Sequence, residues 1–187
     1  MPILSGKDWV SRFPNSNRVE DLKEPFRTRA AAFVDALRKA NATVSISSTY
    51  RPPERAYLMH YAYLVAKGLL DPSAAPANDG VGIDWIHRDA QGGMDLAASR
   101  QAAGEMVAAY GIVFAPSLSS RHTEGLAIDM DISWQGALPL ARPGGGGPAV
   151  IQSLPHTGAN QELHAFGAQY GVFKLLTDPP HWSVDGH

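Results

Sequence analysis

The sequence predicts an α+β fold in one domain, with a small, mostly antiparallel sheet flanked by helices. Three observations predict it. Apolar residues recur at helical spacing across residues 19–40, the stretch TVSISSTY (43–50) alternates apolar and small polar residues as a strand does, and the helical runs weigh toward the first part of the chain with scattered short strand-like runs later. A chain of 187 residues, 44% hydrophobic and 18% charged, is long enough for one core and short for two.

In chain order, residues 1–17 read as an irregular N-terminal arm. From Val19 to Ala40, Phe26, Ala30, Phe33, Val34 and Leu37 fall on one helical face, and Asn41 is the stop. The strand over 43–50 is broken by Arg51-Pro52-Pro53, and a helix resumes over 54–68, ending at Gly68. Its stripe of tyrosines and methionine is a core face. Residues 70–94, rich in Gly, Pro, Asp and Ala, form a long loop with VGIDWIH as a short strand inside it. A further helix spans 95–111, capped by Asp95 and stopped by Gly111. IVFAP is a short strand, LAIDMDI (126–132) a longer one, and 141–150 a flexible loop with a four-glycine run. A short helix over 160–171 and the strand VFKLL precede the closing TDPPHWSVDGH.

Composition excludes several classes. A net charge of −2 without clustered Lys and Arg does not suit a nucleic-acid partner. The absence of cysteine removes disulfides, thiolate zinc sites and a cysteine nucleophile. No run approaches the roughly 20 apolar residues of a membrane helix. The N-terminus lacks the charged start and apolar run of a secretory signal. The expectation is a monomer made in the cytoplasm that reaches any extracytoplasmic target by release or secretion.

The chemistry concentrates in SSRHTEGLAIDMD, residues 119–131. His122 and Asp129 are ligand types that zinc accepts, and a catalytic zinc site takes three protein ligands and leaves a fourth position open. Gly125 and Ile128 argue for a turn entering a strand, so the two ligands do not share a helix. The third ligand should be another histidine. Of the seven, His181 stands out in TDPPHWS. Prolines favour extended geometry before them, and polyproline II repeats every three residues, so Asp178 and His181 are expected on one edge of a stiff segment. His60, His87, His156, His164 and His187 read as structural or exposed, and Glu124 as a solvent-facing turn residue. Asp131 shares a strand face with Asp129 and is expected behind the ligands.

Ser120-Arg121-His122-Thr123-Glu124-Gly125-Leu126-Ala127-Ile128-Asp129 resembles the SxHxxGxAxD signature of the M15 zinc peptidases, the D-Ala-D-Ala carboxypeptidase and L-alanyl-D-glutamate endopeptidase family. Asp178-Pro179-Pro180-His181-Trp182 resembles that family's [DE]xxHW element, and Ser48-Thr49-Tyr50-Arg51 its S-x-Y-R element. The three occur in the family's order and span residues 48–182. The resemblance implies a hedgehog/DD-peptidase-like fold with one Zn2+ held by His122, Asp129 and His181. It implies Asp178 as general base and Arg51 as the group that meets a substrate carboxylate or developing oxyanion. Ser120 and Tyr50 would contact a ligand or substrate; Trp182 would wall the site or pack in the core.

The implied substrate is the peptidoglycan stem peptide. Asp rather than Glu at 178 tilts the expectation toward an L-alanyl-D-glutamate endopeptidase, an endolysin or a secreted antibacterial effector with its own immunity protein. The alternatives are a D-Ala-D-Ala carboxypeptidase or dipeptidase, and a non-catalytic zinc-containing wall-binding module. No HxH triplet occurs, which argues against the lysostaphin-type branch. The loops at 70–94 and 141–150 look like insertions relative to compact phage lysins.

Overall fold

Residues 3–187 are described by a computed structural model of the chain. They form β1 (Ile3–Leu4), α1 (Phe26–Lys39), β2 (Thr43–Ser48), α2 (Pro53–Ala66), β3 (Ile83–Asp84), α3 (Leu96–Tyr110), β4 (Ala127–Ser133), β5 (Leu138–Leu140), β6 (Ala149–Ile151), α4 (Gln161–Gln169), β7 (Phe173–Lys174) and β8 (His181–Ser183). The α+β class and the mostly antiparallel pairing agree with expectation; β1–β3 is the parallel exception. The chain divides into two compact units, Met1–Pro14 with Pro52–Ser120, and Asn15–Arg51 with Arg121–His187.

The first unit packs α2 and α3 around Leu58, Ala62, Val65, Ala103 and Met106. Asp95 caps α3 through the Ala98 amide, and Gly111 ends it in the left-handed region, as the sequence predicts. The arm is less irregular than expected. Trp9, 3% exposed, enters this core on a 3-10 turn, and Ile3–Leu4 pairs with β3. Residues 1–2 lie outside the described residues. The 70–94 loop is also anchored: Val81 and Trp85 are buried, and Trp85 Nε1 donates to the Tyr57 hydroxyl at 3.2 Å. The strand expected at IVFAP is corrected. Ile112 N–H turns back to the Val107 carbonyl at 3.0 Å, and Val113 and Phe114 are 74% and 81% exposed. The residue that would start the strand is spent on closing the helix.

The second unit carries a four-stranded antiparallel sheet in the order β2-β4-β8-β7. Ile128, Met130 and Ile132 alternate along β4 with Asp129 and Asp131, so one face is apolar and the other acidic. The apolar set joins Phe26, Phe33, Leu37, Leu163, Phe166 and Trp182 in one core with α1 and α4. The five residues expected on the α1 face are all buried. The helix begins at Phe26 rather than Val19, because Pro25 holds the preceding residue out of helical geometry; Val19–Asp21 makes only a 3-10 turn. Asn41, the expected stop, has φ 63°. The β5–β6 hairpin was not expected. Its strands have three residues each, too few to show a period, and Pro139 disguises the first. Its inward residues Leu138, Leu140 and Ile151 are buried, and it brackets the glycine run.

Trp182 is fully buried, with its ring 5.5 Å from Phe33. Gly167 lets α4 approach it: a Cβ there would lie 2.8 Å from the Trp182 ring and 2.9 Å from the Val172 carbonyl. Gly104 in α3 has nothing within 4 Å of the same position. Alanine gains about 1 kcal/mol over glycine in a helix interior, whereas overpacking costs about 1–3 kcal/mol. Gly104→Ala is therefore expected to raise the urea midpoint and Gly167→Ala to lower it.

Candidate metal centre

The centre is assembled within the second unit by register and one turn. Asp129 on β4 pairs directly with His181 on β8 and, on its other side, with Ser48 on β2. Between Ile46 and Ser48 the β2–β4 register shifts, leaving Ser47 as the extra residue. A bulge bends its strand and re-aims the chain beyond it, which here is Thr49-Tyr50-Arg51. His122 enters from a turn closed by Leu126 N–H to the Arg121 carbonyl (2.7 Å) and Gly125 N–H to the His122 carbonyl (3.2 Å). Gly125 has φ 71°, and a Cβ on it would lie 3.3 Å from the Lys23 backbone nitrogen, so the position asks for glycine twice over.

The predicted ligand set comes together. His122, Asp129 and His181 offer ligand atoms that all lie within 4.8 Å of one another. His122 Nε2 is 3.1 Å from Asp129 Oδ1, His181 Nδ1 is 3.0 Å from the same oxygen, and the two nitrogens are 3.2 Å apart. The outer ring nitrogens are committed. His122 Nδ1–H donates to the Thr49 carbonyl at 2.9 Å and His181 Nε2–H to the His187 carbonyl at 3.1 Å. Neutral rings in those tautomers point two bare lone pairs at a carboxylate. Three acceptors at this spacing repel unless a cation sits among them. His122 and His181 are 5% and 7% exposed, so water screens the cluster poorly.

A triangle of this size fits zinc. His122, Asp129 and His181 would hold the ion, and a site with three protein ligands is the kind that keeps a further position for water or substrate. The donor set of two imidazoles and one carboxylate suits zinc's ligand preferences. A proton answers the same demand in part. Burial alone would lower the His181 pKa, but the hydrogen bond and charge of Asp129 reverse this and hold it above the ordinary histidine value. Burial alone would raise Asp129; hydrogen bonds from His122 and His181 outweigh it and keep the carboxyl well below the usual range.

The remaining expected residues fall around this centre unevenly. Arg51 N–H donates to the His122 carbonyl at 3.1 Å, which ties the STYR stretch to the first ligand, and its side chain is half-buried. Tyr50 is half-buried, with its carbonyl accepting from Ser16 N–H at 2.8 Å. Asp178 is exposed, close enough to His181 for its charge to help raise that imidazole's pKa. The polyproline geometry expected for Asp178–His181 is corrected: His181 N–H donates to the Asp178 carbonyl at 3.1 Å, which makes the segment a turn. Of the two places expected for Trp182, the core is the one it takes and the site wall is not, because neighbouring strand residues face opposite ways and His181 takes the site face. Asp131 is exposed on the Asp129 face and is not in the triad. Ser120 is half-buried and ends the first unit.

Two contributors escaped sequence reasoning. Thr49 and His187 act through backbone carbonyls, which carry no residue-type signal. The tail holding His187 is secured by Ser183 Oγ, which accepts from Gly186 N–H (2.9 Å) and His187 N–H (3.0 Å). Arg121, the residue before the first ligand, grips Asp185 with both Nε and a terminal nitrogen and also pairs with Glu124. Glu124 is therefore not simply solvent-facing.

Zinc titration by calorimetry is expected to give one site per chain, and His122→Ala, Asp129→Ala or His181→Ala to abolish it. In the metal-free chain the stabilisation from Asp129 is present above about pH 3.9 and lost as pH falls through its depressed pKa. That from His181 is complete below about pH 6.5 and lost as pH rises through its raised pKa. Metal-free stability, read as the urea midpoint, should peak between about pH 4 and 6.5 and decline toward pH 9, with zinc reversing the decline.

No model of a known protein family matches the chain, and no curated protein or solved structure matches it either.

Proposed function

We propose that the chain is a zinc peptidase that hydrolyses peptide bonds in peptidoglycan stem peptides, with the L-alanyl-D-glutamate bond as the favoured target. The observation that carries the reading is the convergence of three cation-demanding acceptor atoms from one turn and two paired strands, each nitrogen oriented by a carbonyl behind it. Zinc in this ligand set would supply Lewis-acid polarisation and lower the pKa of a water at its open position to about 7. Asp178, exposed and three residues before His181, would take the proton of the attacking water and return it to the departing amine. Arg51, tied through its backbone to the His122 carbonyl, would bring a guanidinium to a substrate carboxylate or to the oxyanion that grows during attack. A stem peptide carries free carboxylates that answer this charge. The action belongs at the cell wall, after release or secretion.

Digestion of purified muropeptides, followed by mass spectrometry, tests the reading and names the scissile bond. New products ending in L-Ala support the endopeptidase; loss of a single terminal D-Ala points to the carboxypeptidase. Stoichiometric zinc without cleavage of any stem peptide would leave only a wall-binding module. Asp178→Ala is expected to keep its zinc, to shift stability by less than about 0.5 kcal/mol and to lose about 10²–10⁴-fold in kcat. Wild-type turnover in that variant would remove Asp178 from its role.

A further inference from the structure

The turn between β7 and β8 carries Asp178 and His181, and a single ammonium sits inside it. Lys174 Nζ donates to the carbonyls of Leu175 (2.5 Å), Asp178 (2.5 Å) and His181 (3.0 Å). Each of those carbonyls also accepts a backbone N–H. Asp178 N–H reaches Leu175 at 3.3 Å, His181 N–H reaches Asp178 at 3.1 Å, and Leu175 N–H reaches His181 at 3.1 Å. The three oxygens thus point inward at one spot, and the three donors of the ammonium match them one for one. Pro179 and Pro180 have no N–H to add to these three bonds, so the second lone pair of each carbonyl is left for the ammonium.

The ammonium is itself held in place. Lys174 is paired in register with Trp182, and Nζ lies 5.7 Å from the indole centroid. That ring is fully buried and cannot yield. Burial pulls the Lys174 pKa down, and the nearby charges of Asp178 and Asp129 work against that pull.

We propose that Lys174 is a positioning residue for the metal centre: its ammonium grips the carbonyls of Leu175, Asp178 and His181 and so sets the Asp178 carboxylate against the His181 imidazole. It acts through the turn and touches neither ion nor substrate. This rests on the zinc peptidase reading above and adds to it a cation that orders the turn.

The test uses the full chain with Co2+ in place of zinc, because cobalt reports its geometry in visible absorption. Lys174 lines a cavity of about 680 Å³ beside Leu176 and Pro179, so Lys174→Ala opens a slot that a small solute can enter. The truncation removes a propylammonium group, and n-propylammonium can be added back with n-propanol as its uncharged match. Lys174→Ala is expected to lose about 10–100-fold in kcat on stem peptides with KM nearly unchanged, and to show an altered cobalt spectrum. Propylammonium should restore both; propanol should restore neither. Lys174→Met keeps the side-chain volume and should show the same defects while unfolding at a urea midpoint near that of the wild type. Equal rescue by propanol, or wild-type kcat and spectrum in Lys174→Met, would overturn the assignment by reducing Lys174 to packing. A wild type that takes up cobalt but cleaves no stem peptide would sink the peptidase reading, and the spectra of the variants would still decide the role of Lys174.

Discussion

Three lone pairs aimed at one point form the constraint around which the second unit is organised. Two imidazole nitrogens and a carboxylate oxygen at 3.0–3.2 Å cannot be left bare in a site so little exposed. The fold accepts this arrangement because the outer ring nitrogen of each histidine is satisfied. The Thr49 and His187 carbonyls take the outer ring protons, and those carbonyls sit on segments anchored elsewhere: Thr49 N–H to Ser16 and the His187 tail to Ser183. Tautomer, ring orientation and cation demand are therefore one property.

That property needs a rigid backing, which the sheet supplies by alternation. His181 faces the centre and Trp182 faces the core; Asp129 faces the centre, and Ile128 and Met130 face the core. The apolar face is closed by α1 and by α4, whose Gly167 permits contact with Trp182 that any larger residue would obstruct. Buried area on one side of the strands thus holds polar atoms on the other side against the repulsion they would otherwise relieve by moving apart. The one irregularity, the register shift at Ser47, falls where β2 must stop running alongside β4 and deliver Thr49 to His122.

Cations recur wherever the chain turns near this centre. Arg121 joins the segment of the first ligand to the tail behind His181, and Lys174 fills the turn that carries the same histidine. Arg121 works through carboxylates and Lys174 through backbone carbonyls, both from partly exposed positions, where a charge retains much of its hydration and contributes through directed hydrogen bonds more than through net attraction. The ligands are thereby linked through the tail and the turn as well as through the sheet.

The cap and stop of α3 and the apolar face of α1, though not the point where α1 starts, were legible in the sequence because they depend on residues close in the chain: Asp95 three positions from Ala98, Gly111 just past its helix, Phe26 to Leu37 on one stripe. The three side chains that could hold a metal ion were legible too, since chemistry restricts ligands to few residue types and their setting in TDPPHWS and SSRHTEG singles out two of the seven histidines. The sequence could not disclose the short strands β5 and β6, which exist only through each other, nor that TDPPHWS folds as a turn. It could not assign Trp182 to the core, because face is set by register and register by partners far along the chain. Nor could it reveal the carbonyls of Thr49 and His187, since a backbone oxygen is common to every residue. Local propensity and ligand chemistry are written in residue identity, whereas strand pairing and backbone hydrogen bonds come into being only when distant segments meet.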